Sequence, residues 1–185
     1  MPITLNGSGT VTGISAGGLP DGCITAAELA SGVGGKILQV VQTTKTDVFT
    51  TTTTSYSDIT GMSANITMTS SSNKVLVLVQ QQIVAGDAGT GIKIVRGSTD
   101  IFLADAAGSR ARHTMTGNYD GETTYSGGGA CFIGYLDTPG AGTHTYKVQC
   151  MTRGGTIYVN RTNRDSDDTN ASRSTSSITL QEVAA

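Results

Sequence analysis

The sequence lacks tryptophan altogether and holds three prolines and three cysteines in 185 residues; aromatic side chains make up 5% and charged ones 14%. Charge this sparse, with a net of -2 at pH 7, offers no field that would draw in nucleic acid, so no nucleic-acid partner is expected. No stretch of 18 apolar residues exists, and the N-terminus has no basic-then-apolar leader, so neither membrane insertion nor secretion is expected. Cys23, Cys131 and Cys150 lie far apart without a CxxC pair, which excludes a zinc knuckle and a dense disulfide scaffold. Cys131 and Cys150 fall within apolar strand patterns and read as buried thiols, with a bridge across neighbouring strands as the alternative. The odd count suits a chain made in a reducing cytoplasm.

What is abundant is small and polar. Threonine (30), serine (17) and glycine (25) account for 72 of the 185 residues. Most threonines stand among valine and isoleucine rather than in Pro-rich blocks, which favours strands over disorder and excludes a long-helix or coiled-coil protein.

Composition shifts near Gly35, dividing the chain into 1–35 and 36–185. The first part is Gly-rich, carries only Asp21 and Glu28 as charges, and alternates apolar with small polar residues. It cannot bury enough surface to fold alone. About 20 extended residues reach roughly 65 Å at about 3.3 Å each, so it reads as an arm whose Ile3, Leu5, Val11, Ile14 and Leu19 lie on another surface. Thr25 with Glu28 forms a capping box, Ile24 and Leu29 a hydrophobic staple, and Gly32 a left-handed stop, predicting one short helical turn at 26–30. At that length the turn needs a neighbour. Ile24, Ala27 and Leu29 offer a face for copies of themselves around a symmetry axis.

From Lys36 the pattern predicts strand after strand, at 36–43, 48–54, 56–60, 62–69, 74–85, 91–96, 101–104, 130–136, 143–151, 156–160 and 177–183, with turn signals such as Ser71-Ser72-Asn73 and Thr138-Pro139-Gly140 between them. The near-continuous apolar run in 74–85 predicts burial on both faces. Without helices between strands, the expected fold is all-β: an antiparallel β-sandwich, jelly-roll-like, with an extended N-terminal arm and one short helical turn. Two long segments, 105–129 and 160–177, break the rhythm.

Converging catalytic groups are scarce. His113 and His144 belong to no spaced ligand pattern, and no GxSxG elbow, P-loop or dinucleotide fingerprint occurs. Gly127-Gly128-Gly129 precedes a strand, so it builds no phosphate-binding helix start. Asp165, Asp167 and Asp168 present oxygens at calcium-like spacing but lack the glycine and distal glutamate of an EF-hand, and Arg161, Arg164 and Arg173 balance them as in a solvated loop; no metal and no cofactor is expected. Sequons at Asn65, Asn160 and Asn170 read as chance matches in a Ser/Thr-rich chain. Arg110, Arg112, His113, Tyr119 and Tyr125 share one segment and supply stacking faces and fork-shaped donors for sugars or acidic groups; lining a subunit contact or water is the alternative. Asp120 and Glu122 are the only close carboxylate pair in that segment. A polysaccharide-cleaving site needs two carboxylates about 5 to 9.5 Å apart, and an i, i+2 pair in a Gly-rich loop does not define one, so no enzyme is expected.

The opening Ile3-Thr4-Leu5-Asn6-Gly7-Ser8-Gly9, with Asp21-Gly22-Cys23-Ile24-Thr25-Ala26-Ala27-Glu28-Leu29-Ala30 after it, resembles the attachment segments of tailed-bacteriophage fibre proteins. In those, an LNGSG opening leads into repeats of the form DGxITxAKLA. Here the repeat occurs once, with Glu28 where the family often has lysine, so a long shaft is missing. The remainder, notably Gly34 to Gln42, Asp105 to Arg110 and Tyr135 to Tyr146, is similar to the β-sandwich heads of small phage virion proteins. The resemblance implies a virion structural protein, made in the host cytoplasm, trimeric, and bound through 1–35 to other tail or capsid proteins. A short tail fibre touching host surface glycans with its head loops is one form; a capsid decoration or head-fibre protein that stabilises the phage head is the other.

Overall fold

The computed structural model describes residues 35–85, 89–119 and 129–185. Within them run eleven strands: β1 (Ile37–Lys45), β2 (Phe49–Thr51), β3 (Ser57–Met68), β4 (Lys74–Ala85), β5 (Thr90–Arg96), β6 (Thr99–Ile101), β7 (Met115–Tyr119), β8 (Gly129–Asp137), β9 (Gly142–Thr152), β10 (Ile157–Val159) and β11 (Ser176–Val183). The described residues contain no helix. The arm residues Ile3 to Leu19 and the turn expected at 26–30 lie outside them.

The pairing resolves into two sheets once broken strands are joined. β1 with β2, β6 with β7 and β10 with β11 each run as one interrupted strand, because each pair lies along a single edge of its neighbour. That leaves eight strands in two antiparallel sheets. Sheet A has β1/β2 beside β11/β10, then β4, then β8. Sheet B has β3 beside β9, then β5, then β6/β7. In chain order of the eight, sheet A reads 1-8-3-6 and sheet B 2-7-4-5, the winding of a jelly roll, in which neighbours along the chain alternate between sheets except for 4 and 5, a hairpin within sheet B. The fold is an all-β antiparallel sandwich, as its alternating pattern predicts.

One strand joins the two sheets. β7 pairs with β5 through Met115 to Gly117 and then runs parallel to the end of β4 through Asn118 and Tyr119. At the crossing, a Cβ on Gly117 would stand 3.1 Å from Ile83 Cγ2 and 3.2 Å from Thr90 Cβ, so only glycine passes without displacing a neighbour.

The core fills the space between sheets with inward positions of both. Val75, Val77, Val79, Ile133, Ile178 and Leu180 come from sheet A and Met62, Ile66, Ile92, Ile94, Tyr146 and Val148 from sheet B. Cys131 and Cys150 are both buried free thiols in opposite sheets, so no bridge joins them.

Several details differ from the sequence expectation, and the strand expected at 48–54 is short, paired only over Phe49–Thr51. The segments 56–60 and 62–69 are one strand, β3, whose pairing with β9 shifts register between Asp58 and Ser63, with Gly61 at φ 85° absorbing the irregularity. β7 lies within a segment expected to be loop. The expected strand at 101–104 ends at Ile101, where Phe102 turns to φ 54° and stacks its ring on Tyr135 with centroids 4.7 Å apart. β4 is buried on both faces only at its end, Ile83 to Ala85; from Lys74 to Gln82 burial alternates.

The two outer faces differ. Outward positions on sheet B include Asp58, Thr60, Asn65, Thr67, Thr145, Lys147 and Gln149, with Lys147 bonded to Asp58 at 2.8 Å and Lys93 to Asp100 at 2.7 Å. Outward positions of β1, β4, β8 and β11 in sheet A carry a single charged side chain, Lys74, at one end. Large apolar side chains stand open there: Phe132 is 65% exposed, Val40 57%, Leu136 46% and Leu78 37%.

Candidate functional site

The Arg/Tyr segment emerges between β6 and β7 and is pinned across sheet B. Thr114 N donates to Ile92 O (2.8 Å) and Ala104 N to His113 O (3.2 Å), which closes 104–113 into a loop. His113 lies inward over β5. Its Nδ1 meets the Tyr56 hydroxyl, and its ring occupies the space where Gly91 has no Cβ. The Tyr56 hydroxyl also donates to Arg112 O at 3.0 Å. With that proton committed, His113 Nδ1–H is the donor to Tyr56, which fixes the neutral tautomer. Burial, with the Arg153 charge adding to it, holds His113 below the usual histidine range, and burial pushes the Tyr56 hydroxyl up to about 12. Lys93 Nζ sits 4.3 Å from the Tyr56 ring centroid while bonded to Asp100. The group is a clamp that holds the loop's C-terminal stem.

Arg110 and Arg112 are exposed at the loop's outer side. Arg112 Nε donates to Ala104 O at 2.6 Å and Arg110 Nη1 to Ala107 O at 3.3 Å, so both guanidinium planes are oriented by the loop itself. Of the five residues singled out in this segment, the structure places two arginines on the exposed loop and turns His113 into the clamp. Tyr119 is on β7, where its backbone pairs with Ala85; Tyr125, with Asp120 and Glu122, lies outside the described residues. Tyr56 is the participant that sequence reading missed. Its signal is weak, a lone tyrosine at a strand start in a Thr/Ser-rich run.

The acidic segment 160–177 is organised by arginine. Asp165 accepts from Arg173 (2.6 Å) and Arg161 (3.4 Å), and Asp168 from Arg164 (3.0 Å). Ser166 Oγ and Asn170 N also donate to Asp168, holding its carboxyl below the usual range. Asp165 and Asp168 are thus neutralised separately, and among the described residues no three His, Cys, Asp or Glu side chains are grouped to hold a metal. Asn160, where the segment begins, is fully buried at φ 62°. Its Nδ2 donates to Lys45 O and Asp47 O while its Oδ1 accepts from Ser176 Oγ, tying the β1–β2 break to the start of β11. The sequon there is a structural hub.

Two buried carboxylates, Asp137 and Glu182, flank Val75 in one row of sheet A. Asp137 Oδ2 accepts from Arg96 (2.6 Å) and the Tyr146 hydroxyl (2.7 Å), joining β8 of sheet A to β5 and β9 of sheet B. Burial alone would raise the Glu182 carboxyl, but donors from Asn73, Gln39 and Thr69 hold it down at about 2.

The chain matches no protein-family model and no curated protein.

Proposed function

We propose that the protein is a structural component of a tailed-phage virion, a short trimeric tail-fibre component held by its arm and presenting the 104–113 loop to host surface glycans. The observation that carries the reading is the attachment-type opening, Leu5-Asn6-Gly7-Ser8-Gly9 with a single Asp21-to-Ala30 repeat, joined at Ile37 to a jelly-roll head. The exposed, pre-oriented Arg110 and Arg112 forks support the loop as the recognition element, since a fork held in place loses less entropy on binding a sugar or acidic group. Weak sites on three linked copies reinforce one another through effective concentration.

A second reading, a capsid decoration protein whose arm clamps neighbouring capsid subunits, is favoured by the single repeat and missing shaft. Gold labelling of intact particles with an antibody against 36–185, viewed by negative-stain electron microscopy, separates them. Label at the tail supports the fibre reading; label over the head replaces it with decoration; unlabelled particles that carry no copy of the chain sink both. On tail-labelled particles, Arg110→Ala with Arg112→Ala is expected to reduce adsorption to host cells at least tenfold, and undiminished adsorption removes the loop's role.

A further inference from the structure

We infer that the outer face of sheet A is the surface through which copies of this chain meet, with Phe132 of one copy seated against the depression beside Gly134 of another. The inference gives the trimer proposed above its contact surface, and it rests on that reading for the number of copies only.

Three observations favour a second copy over an unrelated partner. First, a contact between copies sets like beside like, so fixed charges at its centre repel unless symmetry happens to offset them. The outward side chains of β1, β4, β8 and β11 avoid this, with Lys74 alone at one end. On sheet B, by contrast, Asp58 and Asp100 are already bonded to lysines.

Second, the polar groups on the face suit self-contact. Gln42, Gln80, Ser177, Thr179 and Gln181 each donate and accept, so any of them can bond to whichever other member of the set a neighbouring copy brings opposite it, which a pair of carboxylates or a pair of ammonium groups cannot do. The register sets them in rows with the apolar groups. Gln42, Thr179, Leu78 and Gly134 lie side by side across the four strands, and Thr44, Ser177, Gln80 and Phe132 form the next row.

Third, knob and hollow occur on the same face. Phe132 projects at 65% exposure. Where Gly134 has no side chain and the Leu78 methyl lies 3.7 Å from the Cβ it lacks, an open depression of about 420 Å³ is bounded on one side by Phe132 and on the others by Gln42, Gln80, Ser177 and Thr179. Four strands at about 4.8 Å spacing and eight residues at about 3.4 Å give a flat footprint near 500 Å². Side-chain relief raises this towards the roughly 800 Å² per partner of a standard interface.

The test is light scattering of the full chain at micromolar concentration, alongside Phe132→Lys, Thr179→Lys and, as a control on sheet B, Asn65→Lys. Circular dichroism confirms that each variant keeps its strand content. The expected result is a trimer mass for the unaltered chain and for Asn65→Lys, with association of Phe132→Lys and Thr179→Lys weakened at least 100-fold and both running as folded monomers. Should both variants stay trimeric, this face is wrong while the trimer stands. A dimer that Phe132→Lys dissociates keeps the face and overturns the three-fold reading. A monomeric unaltered chain overturns both, leaving the face to a different partner.

Discussion

The outer faces of the two sheets are made by the same device, strands whose alternate residues point away from a shared core, yet they end with different chemistry. Sheet B turns threonine, asparagine and paired charges outward and lays the 104–113 loop over β5. Sheet A turns out leucine, valine and phenylalanine among uncharged amides and hydroxyls. Alternation therefore tells which residues face inward, while the chemistry of the outward set tells what the protein leaves to water and what it leaves for contact. Exposed apolar patches of this kind mark interaction surfaces on otherwise polar proteins.

That contrast can be sharpened by substitutions on either side of each sheet. The largest effect is expected from a residue facing neither outer surface. Leu180→Ala, fully buried on β11, is expected to cost about 2–5 kcal/mol in urea unfolding, whereas its outward neighbour Thr179→Ala stays within about 0.5 kcal/mol; similar losses at both positions would refute the inward–outward assignment of β11. Next comes Glu182. Its carboxyl titrates near 2 in the fold against about 4.3 unfolded, so its contribution is complete above pH 4.3 and disappears as pH falls towards 2. Glu182→Gln is expected to flatten that acid-side loss in unfolding midpoints and to lower stability at neutral pH by about 1–3 kcal/mol, since donors built for a carboxylate lose it.

On the sheet B side, Gly91→Ala forces a Cβ into the His113 ring. The expected cost is about 1–3 kcal/mol, together with faster hydrogen exchange in the 104–113 loop; protection unchanged from the unsubstituted chain would mean the clamp does not hold that loop. His113 adds a smaller pH effect. With its pKa lowered in the fold, its contribution is whole above about 6.5 and declines as pH drops below that, because the unfolded chain takes up the proton first. The smallest change is expected at Asp58, whose bond to Lys147 lies in solvent. Asp58→Asn is worth about 0.2–1 kcal/mol, less in high salt, and a thermal shift that ignores salt would contradict its electrostatic origin.

Much of the fold was legible in the sequence because strand positions are written in alternation and turn residues. The strand at 74–85 runs as expected, and those at 130–136, 143–151 and 177–183 extend by one residue at one or both ends. What could not be read was set by partners distant in sequence. Val75 to Val79 is apolar at every position, so its pattern alone cannot say that Leu76 and Leu78 face outward; the bare outer face of sheet A decides that. β7 was hidden because glycine and asparagine depress its strand propensity and its pairing is divided between two sheets. In the candidate loop, the two arginines stand where segment length and polarity placed them, whereas His113 turned inward because Gly91 and Tyr56, 22 and 57 residues earlier, make room for it.

The two enclosed cysteines carry a practical consequence. Burial raises both Cys131 and Cys150, the latter to about 12, so at neutral pH neither is a thiolate and neither meets solvent. In a Cys23→Ser chain they become internal clocks. A thiol-reactive dye can label them only in moments when the sandwich parts, and because they sit in opposite sheets, their two labelling rates show whether sheets A and B open together or one before the other.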